Sequence, residues 1–280
     1  MSVLSNGYLL ALAGGIKPPV DFNAEFLVIG GGGQHLETIL SARGGGGAGG
    51  YISSISGESS GGGSSAVNTV GLTTDETTYS VTVGAAGSNS TFSGTTTASV
   101  SFTHTALAGG AGGATGGSGG GGNTPGSGGA GTANQGYAGG DGFRYHPSCV
   151  TSGNECLSVC LTTGPGAGGG AGGAGSGRDG GDGVQSSVTG TPTYYAGGGA
   201  ASTICGSNQN VGTAGQGQAN YGGGGTLGAA GQDGVVILKY PTTVTISNSG
   251  GGLTMSTSVV SGNNVTVITA GTGNIEFTPA

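Results

Sequence analysis

Short runs of apolar residues separated by tracts of glycine are the main pattern along this chain of 280 residues. The run at 25–29 is apolar after its acidic first residue and is closed by a row of glycines, which predicts a buried strand. Residues 79–83 and 99–103 alternate apolar and polar side chains, which predicts half-buried strands with a turn at 84–87. A further apolar run at 235–240 is stopped by Pro241, which has no backbone N–H to donate.

Residues 242–280 contain short apolar runs of the same kind but no long glycine tract. The predicted strands are 244–246, 253–255, 265–268 and 275–277, with turns at 250–252, 262–264 and 271–273. We interpret this region as a small C-terminal β-module.

The first 25 residues form a segment of their own. Their apolar run at 8–13 follows no basic region and is far shorter than the roughly 18 residues of a membrane span, so neither a signal peptide nor a span is expected. Pro18 and Pro19 end any helix there. We interpret residues 1–25 as a docking or assembly segment. Residues 34–42 are the only plausible helix after residue 30, and they make barely two turns.

Glycine spacing in the body, residues 26–241, predicts order. Between 109 and 122 glycines recur at every third residue, and the same spacing returns between 166 and 183. Three residues per turn is the period of the polyproline II helix, and a face without side chains lets such helices approach closely. A flexible linker is the alternative. We expect a mainly β, elongated protein with packed polyglycine-II helices and very little α-helix.

Composition argues against several functions. There are 73 glycines, 5 basic and 12 acidic residues, and the formal net charge is −7, which does not suit nucleic-acid binding. The stretch 26–36 resembles a dinucleotide fingerprint, but His35 stands where its third glycine belongs. Asp179, Asp182 and Asp233 are expected in solvated acidic turns rather than calcium sites. We therefore expect no enzyme activity, no cofactor and no metal.

Four cysteines, Cys149, Cys156, Cys160 and Cys205, lie in two loops that interrupt the glycine body, at 141–163 and 184–221. Their even number favours two disulfides, which would pin one loop to the other. Four cysteines allow three connectivities, and free buried thiols or a metal site are the alternatives.

Several fragments together resemble the glycine-rich domain of bacteriophage tail-fibre proteins. They are 25–33, 43–51, 78–84, 89–92, 183–190, 194–199 and 234–241, and the resemblance covers about 25–241. It implies a virion appendage that contacts the host surface, either a glycan or an outer-membrane protein. It also implies a homo-oligomer, with a trimer expected, and contact with other virion proteins through the N-terminal segment. The insert at 141–163 is not part of the pattern.

Host contact, on this interpretation, is expected at the two loops, because the backbone of the glycine tracts is committed to packing. The candidate contact residues are Arg144, Tyr145, His146, Tyr194, Tyr195, Asn208 and Asn210. The alternative for Tyr194 and Tyr195 is a place in the strand framework. Other classes of protein stay open: a self-assembling extracellular glycine-rich filament subunit, a glycine-rich wall or antifreeze-like protein, and a capsid decoration protein.

Overall fold

The computed structural model describes residues 17–35, 44–145, 151–152, 155–156, 162–205, 208–211, 213 and 215–280. At 144–163 and 203–211 the description covers the backbone of the strands alone. The strands, numbered in chain order, are β1 (Asp21–Ile29), β2 (Tyr51–Ser53), β3 (Val70–Thr73), β4 (Thr78–Val83), β5 (Ser90–Thr95), β6 (Ser101–Ala106), β7 (Phe143–Tyr145), β8 (Thr151–Ser152), β9 (Glu155–Cys156), β10 (Thr162–Gly164), β11 (Val184–Ser186), β12 (Thr193–Tyr195), β13 (Ser202–Cys205), β14 (Asn208–Val211), β15 (Val235–Pro241), β16 (Val244–Ser247), β17 (Leu253–Val260) and β18 (Asn263–Pro279). Within the described ranges the only helical turn is a 3₁₀ turn at Gly61–Gly63, so the protein is mainly β with almost no helix, as predicted.

Ten of these strands form one antiparallel sheet in the order β2-β1-β15-β18-β4-β5-β6. β3 also pairs with β1, and β16 and β17 pair with β18. The predicted boundary between residues 241 and 242 falls at the turn between β15 and β16, inside this sheet rather than between two sheets.

The predicted turn at 271–273 is wrong. β18 runs through it as one strand of 17 residues. Gly271 has a φ of +99°, a conformation open to glycine, and the register of the β17–β18 pair shifts between Thr254 and Met255. The irregularity bends the strand without ending it, so its first half pairs with β15 and its second half with β4.

Successive side chains of β1 point to opposite faces of the sheet, so β1 contributes to two apolar clusters. Phe22, Ala24, Phe26 and Val28 face the larger cluster, in which Phe26 meets Phe92 edge to face with ring centroids 5.8 Å apart. Leu27 and Ile29 face a second cluster on the other side, against the glycine body. The sheet is therefore buried on both faces at this point.

In a central glycine tract, residues 44–50, successive backbone N–H groups donate to three neighbouring segments in turn. Every third N–H therefore donates to the same segment, with N···O distances between 2.8 and 3.0 Å. The donor–acceptor pairs are Gly45 with Gly166 and Ala48 with Gly169, Gly46 with Gly225 and Gly49 with Gly222, and Gly47 with Gly110 and Gly50 with Leu107.

Three more segments donate to the carbonyls of this central tract. Ser118 and Gly121 donate to Ala48 and Gly45, Gly199 donates to Gly46, and Gly30 and Gly33 donate to Gly50 and Gly47. The tract is thus enclosed by six segments, and side chains on residues 44–50 would push these segments away from the tract. A three-residue repeat is what packed polyglycine-II helices require. The identity of the tracts as such helices stays a prediction.

The tract at 109–122 is not one continuous segment. The chain reverses at 111–114, where Gly113 has a φ of +73°. Gly110 then donates to Ser118, and Gly117 donates to Ala108, so the two halves run side by side. Most of the predicted helix at 34–42 and the segment 1–16 lie outside the described residues.

Candidate recognition surface

The two loops that interrupt the glycine body lie side by side. In the first, β7 pairs with β10, and in the second, β11 pairs with β12 and β13 with β14. β10 of the first loop lies next to β13 of the second, with Cα atoms within 8 Å. The chain thus brings residues near 163 and 203, about 40 positions apart, close together.

Aspartate side chains anchor the bases of both loops. Asp141 Oδ1 accepts from the Gly128 N–H at 2.8 Å, and at the second loop Asp179 and Asp182 accept from the N–H groups of Thr213 and Gln216 at 2.6 and 2.8 Å. Asp233, predicted like Asp179 and Asp182 in a solvated turn, accepts from Ala86 N–H at 2.9 Å. These carboxylates join segments that are distant in sequence. The described residues contain no cluster of three potential metal ligands.

Tyr194 and Tyr195 have different environments. Tyr195 is only 6% exposed and packs in the second apolar cluster, so its side chain belongs to the framework rather than to a contact surface. Tyr194 is 37% exposed, and its carbonyl accepts a hydrogen bond from Asn220 Nδ2 at 2.6 Å. Of this pair, Tyr194 alone keeps an exposed side chain.

The remaining predicted contact residues are placed only in part. The backbones of Arg144 and Tyr145 lie in β7, where they pair with Thr163 and Thr162. Asn208 and Asn210 lie in β14, opposite Cys205 and Thr203. His146 is outside the described residues.

The disulfides stay a prediction. Cys149 and Cys160 lie outside the described residues, and Cys156 and Cys205 are described by their backbones in β9 and β13. The adjacency of β10 and β13 brings the two cysteine-bearing loops close together, as disulfides between them would need.

The glycine row at 30–33 has its N–H groups engaged within the protein. They donate to the carbonyls of Gly50, Ser88, Gln232 and Gly47, at 2.8 to 3.0 Å. A dinucleotide fingerprint would direct such groups at a pyrophosphate. Here they connect the end of β1 to the glycine body instead.

A cleft of about 210 Å³ lies between the turn at 55–58, the start of the β11–β12 turn at 187–188 in the second loop, and the end of β17. It is lined by Ile55, Ser56, Glu58, Ser187, Val188, Lys239, Val260 and Ser261. Lys239 Nζ lies 2.6 Å from Glu25 Oε2, and Glu58 Oε1 accepts from the Ser187 N–H at 2.9 Å. The sequence carries no local signal for this site, because its lining residues come from four distant stretches.

Burial shifts the pKa values of four groups in the described part of the protein, Tyr51, Tyr79, His104 and Tyr240. Burial first, and then the nearby Glu58 carboxylate, raise the pKa of Tyr51 well above its usual value. Burial also lowers the pKa of His104, whose ring lies 4.3 Å from that of Phe26. His104 is part of the aromatic core, so its titration bears on stability.

The geometry defines a glycine-rich β protein in which hydrogen-bonded tracts support two adjacent loops. A family model for the glycine-rich domain matches residues 16–241. The match covers well over half of the chain, so the chain belongs to the glycine-rich domain family. No curated protein and no solved structure matches it. Among the described residues no helix is long and apolar enough to cross a membrane.

Proposed function

We propose that this protein is a non-enzymatic structural component of a bacteriophage particle, a tail fibre or similar appendage located at the virion surface. The observation that carries the proposal is the pairing of a glycine scaffold with two loops that emerge side by side from it. The ordered run of fragments that resembles tail-fibre domains supports the same function.

The scaffold suits this function because its backbone groups are used internally. The glycine tracts donate their N–H groups to one another and offer few side chains, so they contribute little to specific recognition. The loops carry the aromatic and polar groups that surface binding needs, and tyrosine offers a large contact area at low entropic cost. Arg144, Tyr145 and Tyr194 are therefore the main residues proposed to contact the host surface.

Adsorption of assembled particles to host cells tests the loop surface. We expect R144A and Y145A particles to adsorb more slowly than wild-type particles. Val100, which is 61% exposed at the β5–β6 turn, supplies the control variant V100A, which should adsorb normally. Normal adsorption by correctly assembled R144A and Y145A particles would contradict host contact through this loop.

The oligomeric state is tested separately from the filament and decoration alternatives. We propose a homo-oligomer, with a trimer expected, that joins other virion proteins through residues 1–25. Light scattering gives the mass of the purified protein, and mass spectrometry of purified particles shows whether the protein is part of the virion. Negative-stain images that show an open polymer would favour the filament subunit instead, and a capsid-wide distribution would favour the decoration protein.

A further inference from the structure

β17 lies at the edge of the sheet, and its outer side pairs with none of the described strands. It pairs with β18 along Leu253–Val260, and no other described strand pairs with it. In a strand at the edge of a sheet, alternate N–H and C=O groups point away from the sheet, free to pair with another chain. Of the hydrogen bonds from outside the hairpin in the described structure, none reaches the backbone of residues 255–260.

The composition of this edge lacks the features that normally block strand addition. The eight residues, LTMSTSVV, contain no charged residue and no proline. Val259 is 67% exposed, the most exposed of the large apolar side chains in the described structure. By contrast, the outer edge of β6 is partly capped, because Gln135 Nε2 donates to the Thr105 carbonyl at 3.0 Å.

We propose that β17 pairs with β17 of a second copy of this chain, antiparallel about a twofold axis at Thr257. This register sets Met255 opposite Val259 of the second copy on one face of the joined sheet. On the other face it sets Ser256 opposite Ser258 of the second copy. The apolar pair covers the exposed valine, the hydroxyl pair can hydrogen-bond, and no like charges meet.

A second copy is the occupant because the edge complements itself. A charged partner would find no opposite charge on the strand, whereas a copy of the strand sets apolar against apolar at 255 and 259 and hydroxyl against hydroxyl at 256, 257 and 258. The contact surface of an eight-residue edge is small, and interfaces below about 1,200 Å² are typical of weak association. The dimer is therefore expected to depend on concentration. β17 lies beyond residue 241, where the family match ends, so the contact belongs to this chain's own C-terminal strands.

Charge substitution on the outward face of β17 tests the pairing. Ser256 and Ser258 are exposed, so S256K/S258K leaves the fold intact and places lysines opposite lysines across the axis. Light scattering from about 1 µM to about 1 mM should show the wild-type mass doubling and the dissociation constant of the variant rising at least about tenfold. S256E/S258E should dissociate in the same way, and an equimolar mixture of the two variants should restore the pair. S101K/T103K, at exposed positions of the edge strand β6, is the matched control and should behave as the wild type.

The outcome is separable from the trimer proposed above. If both contacts exist, the wild type reaches six copies and S256K/S258K reduces it to three. The edge pairing would be overturned if S256K/S258K and S256E/S258E had the same mass as the wild type at every concentration. It would also be overturned if the equimolar mixture of these two variants did not associate. Dissociation by S101K/T103K alone would place the contact at β6 and overturn the proposal as well.

Discussion

Gly47 lies in the middle of the central tract, where a single added methyl group tests the packing of the glycine body. A Cβ at Gly47 would lie 2.3 Å from the Ser118 carbonyl oxygen and 2.5 Å from that of Gly119. Ordinary contact begins at 3.4 Å, so the nearer oxygen is 1.1 Å too close. Both obstacles are backbone atoms of a neighbouring segment that is itself hydrogen-bonded to the central tract, so it cannot turn aside as a side chain could.

The cost of G47A follows from these contacts. Overpacking a close-packed interior costs about 1–3 kcal/mol. Displacing the segment at 118–119 also disturbs hydrogen bonds such as that from Ser118 to Ala48, each worth about 1 kcal/mol. Alanine lowers the entropy of the unfolded chain, which returns about 0.4–1 kcal/mol. We expect a net loss of about 3 kcal/mol, and at about 2–4 °C for each kcal/mol the melting temperature should fall by about 6–12 °C.

G173A is the matched control in the same glycine body. The nearest atom to a Cβ at Gly173 is the Asp182 nitrogen at 3.4 Å, an ordinary contact, and Gly173 is not in the left-handed region. Only the entropic gain remains, so G173A should melt within about 3 °C of the wild type or slightly higher. Thermal unfolding followed by circular dichroism measures both variants. Equal melting temperatures for G47A and the wild type, or equal losses in the two variants, would refute close packing as the reason for glycine in the central tract.

Three further predictions concern stability and the loops. Because burial lowers the pKa of His104, the unfolded chain takes up a proton near pH 6.5 before the folded protein does, so the free energy of unfolding should fall as the pH drops below about 6.5. The midpoints of urea unfolding at about pH 7.5 and pH 5 should therefore differ less in H104F than in the wild type. Y195A should lose about 3–5 kcal/mol because it empties a buried aromatic site, whereas Y194A should lose under about 1 kcal/mol, as chemical denaturation will show. Alkylation without reductant followed by mass spectrometry should find no free thiol at Cys149, Cys156, Cys160 or Cys205, and four labelled thiols would contradict the two disulfides.

The positions of several strands could be predicted because the sequence pattern that indicates a strand is local. The alternation at 79–83 and the apolar run at 235–240 each need only a few neighbouring residues to indicate a strand, and the structure has β4 and β15 there. β5 was missed as a strand, since Ser90–Thr95 is rich in small polar residues and has one buried aromatic side chain, Phe92. The turn expected at 271–273 was wrong because glycine marks both turns and strand irregularities, and only the pairing partners of β18 distinguish the two.

The candidate site shows the same division between local and distant information. The two loops were recognisable as stretches that interrupt the glycine spacing, but their adjacency depends on contacts between residues about 40 positions apart. Tyr194 and Tyr195 are neighbours of the same type, and their difference in exposure depends on which side of β12 faces the second apolar cluster. The cleft beside Glu58 and Lys239 had no local signal, because these residues are remote in sequence.

The sequence alone determined that this chain is mainly β, nearly without helix and built on glycine repeats of three, because those features depend on backbone preferences and short-range periodicity. Tertiary structure decided which tract became the centre. Residues 44–50 look like any other glycine tract in the sequence, yet six segments hydrogen-bond to them. Glycine has no side chain to specify a partner, so the neighbours of each tract are selected by the strands and turns that deliver them, and by the requirement that every buried N–H finds a carbonyl.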